Sequence, residues 1–153
     1  VAKKNKSGVF ILLKTSNTGS KDIQDLLVNN RAVFLHLADL LQKDTSTNLG
    51  KFGYSDIGVV VGATQPKEAK LIRKILPKSL FLIPGFGAQG ASANEALSGL
   101  ILKNKIYEGG LINSSRSILF PKDSYDLNHS FKWKEKILSA LKKTTNELRF
   151  KAE

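Results

Sequence analysis

Two short segments of the sequence combine an apolar stretch with residues that can hold an anion. In the first, the apolar run 80–83 leads into the sequence PGFGAQG at positions 84–90. In the second, the run 110–112 leads into NSSR at positions 113–116. Small residues let main-chain N–H groups approach an anion closely, and an arginine such as Arg116 can grip two phosphate oxygens at once. The two segments therefore predict a phosphate-binding site.

An alternation of strands and helices would place these segments side by side. Apolar runs predict strands at 8–14, 57–61, 80–83 and 110–113, and helical spacing predicts helices at 22–43, 66–76, 92–102 and 131–150, with a helical turn after Arg116. Strands separated by helices pair in parallel, so their carboxyl ends meet at one edge. Near-continuous apolar strands also predict that both faces of the sheet are covered. Four such units make half of an eight-stranded barrel or a small open sheet.

Polar residues also follow the first two predicted strands, as KTSN at 14–17 and GAT at 62–64. Thr15, Ser16 and Asn17 are by themselves typical of a turn. Because they lie at the same edge as the two segments described above, a ligand-binding role for them is equally open.

The composition limits the classes of function. The chain has 153 residues, enough for one domain with a sizeable core, and no apolar run approaches the ~20 residues of a membrane span. It has no cysteine, which excludes disulfides, thiolate metal sites and a cysteine nucleophile. We expect a cytoplasmic protein that binds neither membranes nor a metal. The net charge of +11 could attract nucleic acid, but the lysines are scattered along helical patterns, which favours solvated helix faces.

The glycines at 85, 87 and 90 also match the G-x-G-x-x-G pattern of dinucleotide-binding proteins. That interpretation requires an acidic residue at the end of the next strand to hold a ribose. Glu108 precedes the next predicted strand, which ends in Asn113 instead. A dinucleotide site is therefore disfavoured.

Taken in order, KTSN, GAT, PGFGAQG and NSSR resemble the orotidine 5'-phosphate decarboxylases, especially a subgroup with KTSN and PGIGAQG signatures. The resemblance extends from about position 7 to 120, and Phe86 stands where the family usually has isoleucine. It implies a TIM (β/α)8 barrel, of which residues 1–153 would supply the C-terminal half, strands 5 to 8. It also implies a lyase that converts orotidine 5'-phosphate to UMP in pyrimidine biosynthesis, without metal or organic cofactor.

The resemblance further implies roles for individual residues. Ser16 would bind the pyrimidine ring through a hydrogen bond, and Pro84 would pack beside the ring. Gln89 would bridge toward the phosphate, Arg116 would clamp it, and the main-chain N–H groups of Ser115 and Arg116 would add donors. The active form of the family is a homodimer in which one catalytic aspartate crosses the interface.

The catalytic signature of that family, aspartate-x-lysine-x-x-aspartate, does not occur in this sequence. We therefore expect no catalytic residue in this chain, no activity of the chain alone, and a requirement for the N-terminal half of the barrel. The start at Val1 and the lack of any methionine also lead us to expect a fragment or a cleaved product.

Two other functions remain open from the residues. An isomerase or aldolase on another phosphate-binding barrel would bind the phosphate in the same way but would contact the ring differently. The roles of Ser16 and Pro84 therefore distinguish this alternative from a decarboxylase. A basic module that binds nucleic acid or another ligand would not depend on Arg116 in particular and would bind more weakly as salt rises.

Overall fold

A computed structural model describes residues 1–47, 49–121 and 130–149 of the chain. The strands, in chain order, are β1 (Val9–Lys14), β2 (Leu27–Val28), β3 (Arg31–Ala32), β4 (Ile57–Val61), β5 (Phe81–Pro84), β6 (Ile101–Lys103), β7 (Ile106–Glu108) and β8 (Gly110–Asn113). The helices are α1 (Lys21–Gln24), α2 (Val33–Thr47), α3 (Pro66–Ile75), α4 (Ala93–Leu97), α5 (Ser115–Leu119) and α6 (Ser130–Arg149). Short 3-10 turns cover Lys3–Asn5 and Thr18–Ser20.

The central sheet has four parallel strands in the order β1-β4-β5-β8. The four predicted strands are confirmed, each to within one residue at either end. The connections between neighbouring strands carry α2, α3 and α4, which is the expected repetition of strand and helix. Pro66 is the first residue of α3, a position that suits its missing N–H and fixed φ. This arrangement brings the four carboxyl ends of the strands to one edge.

The core lies between this sheet and the helices. Alternate residues of β4 and β5 are buried against the inner face of α3, where Ala69 and Ile72 are also buried. The larger buried apolar side chains are those of Leu13, Phe34, Val59, Val61, Ile72, Leu76, Phe81, Ile83 and Phe86. Their burial removes apolar surface from water and holds the strand ends in fixed positions.

The opposite face of the sheet carries a row of four apolar side chains. Leu12, Val60, Leu82 and Leu111 are register partners across β1, β4, β5 and β8. Leu12 and Leu111 remain 55% and 59% exposed. The prediction that both faces are covered is therefore wrong for the described residues, because the helices do not cover this row.

The predicted helix at 22–43 is confirmed from Val33 onward but is wrong for the residues before it. The segment forms the four-residue α1 and then the antiparallel hairpin β2–β3, and α2 begins only at Val33. The hairpin turns at Asn29 and Asn30, whose φ angles are 50° and 60°. Two consecutive left-handed residues form the tight turn that matches the twist of a hairpin, and asparagine tolerates that conformation. His36 on α2 contacts the carbonyl of Val28 at 2.9 Å and connects the helix to the hairpin.

The helix predicted at 92–102 is shorter in the structure, again because a hairpin takes the place of its second half. It ends at Leu97 as α4, and a second hairpin, β6–β7, turns at Asn104 and Lys105 with φ angles of 50° and 63°.

Arg116 lies within α5, whereas the helical turn was expected to follow it. The last helix matches its prediction within the described residues, since position 150 lies outside them. No helix in the described ranges is both long and apolar enough to span a membrane.

Candidate phosphate-binding site

Hydrogen bonds from the segment after β4 hold the neighbouring strand ends together. The N–H of Ala63 donates to the carbonyl of Pro84 at 2.7 Å, and the hydroxyl of Thr64 donates to the carbonyl of Ser16 at 2.9 Å. Pro84 is in turn the register partner of Asn113 at the end of β8. The residues that follow all four strands are therefore fixed relative to one another.

The loop after β5 relies on glycine for its path. Gly85, Gly87 and Gly90 have φ angles of +105°, +76° and +88°, which L-amino acids rarely adopt. A Cβ added at Gly85 would lie 2.8 Å from Oε1 of Gln89 and 2.9 Å from Cβ of Ser16. The absence of a side chain at this position thus lets Ser16 and Gln89 approach the same point.

A cavity of about 140 Å³ opens at the carboxyl ends of β5 and β8. It is lined by Pro84, Gly85, Phe86, Ala88, Gln89, Asn113, Ser114, Ser115 and Arg116. Four of the five residues that the sequence singles out therefore line one cavity, namely Pro84, Gln89, Ser115 and Arg116. Ser16 does not line it but lies directly behind Gly85.

Arg116 brings a positive charge to this cavity. Its side chain is exposed, and the guanidinium has no hydrogen-bond or ion-pair partner within residues 1–47, 49–121 and 130–149. The N–H groups of Ser115 and Arg116 belong to the first turn of α5, where intrahelical acceptors are lacking. The hydroxyl of Ser115 donates to Oδ1 of Asn113 at 2.9 Å. Donors and positive charge are thus available together to an anion in the cavity.

A second cavity of about 540 Å³ adjoins the first and extends to α6. The two cavities share Phe86, Ala88, Ser114 and Arg116, and the larger one is also lined by Lys136 and Lys143. Over the described ranges no cluster of three or more histidine, cysteine, aspartate or glutamate side chains could hold a metal ion.

Ser114 is a buried member of the site that the sequence analysis did not single out. Its hydroxyl donates to the carbonyl of Phe86 at 3.0 Å, which links the end of β8 to the glycine loop. Phe86 is itself buried, as expected for an apolar residue in place of the family's isoleucine. The signal available in the sequence was the serine directly after a predicted strand.

A second group missed in the sequence is Lys14, whose side chain is 0% exposed. Its Nζ lies 2.6 Å from Oδ1 of Asp25 and 5.5 Å from the ring centre of Phe34. A lysine at the end of an apolar strand is usually solvated, so that its type alone gives no sign of burial. Lys14 lies two residues before Ser16 in the chain.

Arg73 is a half-buried cation at the other end of the sheet. It donates hydrogen bonds of 2.7–2.8 Å to the carbonyls of Ser79, Gly99 and Gly109, and it stacks 3.7 Å from the ring centre of Phe81. Burial lowers the pKa of Arg73 to about 10, so the guanidinium remains charged at neutral pH. Because it joins the amino ends of β5 and β8, its role is structural.

Known proteins are similar to this chain over most of its length. The family model described as "Orotidine 5'-phosphate decarboxylase / HUMPS family" matches residues 1–125. The orotidine 5'-phosphate decarboxylase of Clostridium botulinum (strain Loch Maree) is 48% identical over 125 residues, which cover 81% of this chain and 42% of the relative. That of Caldicellulosiruptor bescii is 46% identical over 120 residues, which cover 78% of this chain and 38% of the relative.

Solved structures also resemble the chain in fold. Leishmania donovani OMP decarboxylase aligns with 94% of this chain and 48% of its own, at a TM-score of 0.62 and 29% identity. Leishmania donovani UMP synthase aligns with 94% of this chain and 28% of its own, at the same TM-score and 32% identity. The predicted fold class is confirmed, since the four parallel strands of this α/β chain correspond to part of a TIM barrel.

The chain spans about two fifths of the length of these curated relatives, 38% and 42%. The matched residues 1–125 include all four parallel strands and both segments that line the smaller cavity. On this evidence, the chain belongs to the orotidine 5'-phosphate decarboxylase / HUMPS family.

Proposed function

We propose that this chain supplies the phosphate- and pyrimidine-binding half of an orotidine 5'-phosphate decarboxylase, a lyase of pyrimidine biosynthesis. The observation that carries the proposal is the cavity at the ends of β5 and β8, which brings Pro84, Gln89, Ser115 and Arg116 together. Membership of the family supplies the reaction, in which orotidine 5'-phosphate takes up a proton and releases carbon dioxide to give UMP.

In this proposal the phosphate binds beside Arg116. A planar guanidinium can donate two parallel hydrogen bonds to a phosphate, and such charge-assisted bonds are about twice as strong as neutral ones. The support is that this guanidinium has no competing partner among the described residues. The main-chain N–H groups at the start of α5 and the amide of Gln89 complete the set of donors in the same cavity.

The pyrimidine then lies toward Ser16 and Pro84. The carbonyl of Ser16 already accepts a hydrogen bond from Thr64, whereas the hydroxyl of Ser16 has no partner in the described part of the chain. This half-buried hydroxyl is therefore free to bind a polar edge of the ring. Pro84 offers an apolar surface beside it.

The residues that perform the bond-breaking step belong, in this proposal, to the N-terminal half of the barrel. No aspartate of this sequence is followed by lysine at the second position and aspartate at the fifth. The incompletely covered row of Leu12, Val60, Leu82 and Leu111 supports the same arrangement, because such a row forms part of the packed interior when a barrel closes. The phosphate contacts would then stabilise the transition state from a distance.

Several finer points stay predictions. These are the homodimer with an aspartate donated across its interface, the cytoplasmic location, and the independence from cofactors. They come from the resemblance and the composition, and the described residues carry no observation that tests them.

The proposal is tested by UMP formation with two preparations. One is the chain alone, and the other is the completed enzyme, in which the chain is joined to the N-terminal half of its barrel, either its own or that of the Clostridium botulinum relative. The completed enzyme should form UMP and the chain alone should not. A completed enzyme that folds, as judged by circular dichroism, but forms no UMP would overturn the proposal. Turnover by the chain alone would overturn the division of binding and chemistry between the halves.

Arg116→Ala in the completed enzyme should lower kcat/KM by about 30- to 1,000-fold, because it removes a contact worth roughly 2–4 kcal/mol at the transition state. Arg116→Lys should recover part of this loss. Lys136→Ala is the matched control, since Lys136 lines only the larger cavity. The loss should nearly vanish with a substrate that lacks the phosphate. Equal losses with both substrates would assign Arg116 a structural role and overturn this site.

A further inference from the structure

The buried ammonium of Lys14 is held by a second segment of the chain. Its Nζ donates to Oδ1 of Asp25 at 2.6 Å and lies 3.5 Å from the carbonyl of Ser20. Lys14 is fully buried, whereas the side chain of Asp25 is 32% exposed. A buried ammonium without a counter-charge is strongly unfavourable, so the position of Asp25 is tied to that of Lys14.

The next residue along the chain repeats the connection. Oε1 of Gln24 accepts hydrogen bonds from the N–H of Thr15 at 3.0 Å and from its hydroxyl at 3.4 Å. Two consecutive residues, Lys14 and Thr15, therefore contact two other consecutive residues, Asp25 and Gln24 respectively. These contacts close residues 14–25 into a loop, and Ser16 is the first residue after the closure.

The other side of Ser16 is held by the segment after β4. Thr64 donates to the carbonyl of Ser16 at 2.9 Å, and Nε2 of Gln65 donates to the hydroxyl of Ser20 at 3.2 Å. The first contact engages the main chain of Ser16 and the second the side chain of Ser20, so neither engages the Ser16 hydroxyl. The direction of that hydroxyl therefore depends on how firmly the loop is closed at Lys14 and Asp25.

We propose that the Lys14–Asp25 ion pair is a positioning pair, which fixes the Ser16 hydroxyl for the pyrimidine end of the ligand. The inference rests on the proposed function, in which Ser16 binds the ring. Lys14 itself is buried beneath the loop and acts only through Ser16. Loss of the pair should therefore weaken ligands that carry a pyrimidine and leave the phosphate end unaffected.

The chain offers a matched control in its other described ion pair. Arg31 and Asp39 are 2.9 Å apart, but their side chains are 41% and 44% exposed. Nε and Nη2 of Arg31 donate to the two carboxylate oxygens of Asp39 at 2.9 and 3.0 Å, and solvent screens such an exposed pair far more than it screens the buried one. Replacing both members removes the same two charges as in the buried pair, without touching the loop that carries Ser16.

The experiment uses the completed enzyme with Lys14→Met and Asp25→Asn combined, so that no buried charge is left unpaired. Isothermal titration measures the Kd of UMP and of ribose 5-phosphate, which has the phosphate but no pyrimidine. We expect the Kd of UMP to rise about tenfold and that of ribose 5-phosphate to change less than twofold. The control with Arg31→Gln and Asp39→Asn should change neither. In a Ser16→Ala background the buried double variant should add no further loss for UMP.

Three results would overturn the inference: an unchanged Kd for UMP, equal weakening of both ligands, or an undiminished effect in the Ser16→Ala background. If the double variant does not fold, Lys14→Arg gives the second test, because it keeps the charge but displaces the loop with a larger group. It should weaken UMP at least threefold without changing ribose 5-phosphate, and an unchanged UMP affinity would count against the inference. If the unmodified completed enzyme binds no UMP, the proposed function fails instead.

Discussion

The hydroxyl of Ser114 donates a hydrogen bond of 3.0 Å to the carbonyl of Phe86, which lies 28 residues away in the chain. Both residues are buried. The bond connects the two segments that line the smaller cavity, because Ser114 lies in the segment after β8 and Phe86 lies in the loop after β5. The spacing between Arg116 and Gln89 therefore depends in part on this contact between two buried residues.

Ser114→Ala should lower both stability and phosphate affinity. It removes one of the two hydrogen bonds that the Phe86 carbonyl accepts, the other being from the N–H of Ala88 at 3.1 Å, and such a loss costs about 0.5–1.5 kcal/mol. Urea unfolding of the completed enzyme measures the first effect, and titration with ribose 5-phosphate measures the second. Ser98→Ala is the control, since its hydroxyl makes a similar 3.0 Å bond to the carbonyl of Asn94 in an exposed position. Equal behaviour of the two variants would contradict the connecting role of Ser114.

Gly85→Ala should impair ligand binding more than its backbone strain alone explains. The added Cβ would meet Gln89 and Ser16 at 2.8–2.9 Å, in addition to the cost of a φ of +105°. Gly53→Ala isolates the backbone cost, about 1 kcal/mol, because Gly53 has a φ of +77° and nothing lies within 4 Å of its added Cβ. We expect loss of UMP binding only for the change at Gly85, measured by titration. Similar UMP affinities in the two variants would contradict this prediction, because they would show that Gln89 and Ser16 move away from the added Cβ without loss of binding.

Arg73→Lys should destabilise the protein without changing its site. A lysine ammonium cannot reproduce the planar fork that reaches the carbonyls of Ser79, Gly99 and Gly109, and we expect a loss of about 2–4 kcal/mol in the free energy of unfolding. The exposed neighbour Lys74 provides the control as Lys74→Ala, with almost no loss. KM should be unchanged in both variants, and a raised KM in Arg73→Lys would mean that the two ends of the sheet are coupled.

The start of α4 should contribute a pH-dependent part of the stability. The N–H and hydroxyl of Ser92 both donate to the carboxylate of Glu95 at 2.7 Å, and these bonds lower the pKa of Glu95 from its usual 4.5. Because the folded pKa lies below the unfolded one, the contribution is present above pH 4.5 and is lost as the pH falls through the folded value. The difference in unfolding free energy between the parent and Glu95→Gln should therefore shrink below pH 4.5. A difference that stays constant from pH 7 to pH 3 would contradict this origin.

The parallel sheet was predictable because its strands are continuous apolar runs, each followed by polar residues. Parallel strands place those polar residues at one edge, so Pro84, Gln89 and Arg116 could be expected to meet before any coordinates were known. The predicted roles of these residues remain proposals.

The two hairpins were not predictable from apolar spacing. In residues 22–43 the apolar positions fit one continuous helix. Asn29 and Asn30 instead adopt left-handed backbone conformations, which form the turn of a hairpin. Asn104 and Lys105 act in the same way, and the lysine gives a weaker turn signal than asparagine or glycine. The burial of Lys14 depends on Asp25, eleven residues away, and the surroundings of Arg73 depend on three separate carbonyls. Such contacts exist only once the strands are paired.

The strands of the sheet lie side by side in the order in which they occur in the chain, β1, β4, β5 and β8. Each new strand can therefore pair with one that the ribosome has already released. Each connection that must close carries a helix, however, and parallel pairing between segments so far apart in the chain is intrinsically slow. The sheet grows in one direction, and its last strand, β8, has no partner on its outer edge among the residues that the structure describes. If the chain is the second half of a barrel, that edge makes the closing contact with the first strand. Folding of the whole enzyme would then be completed by a single late pairing step.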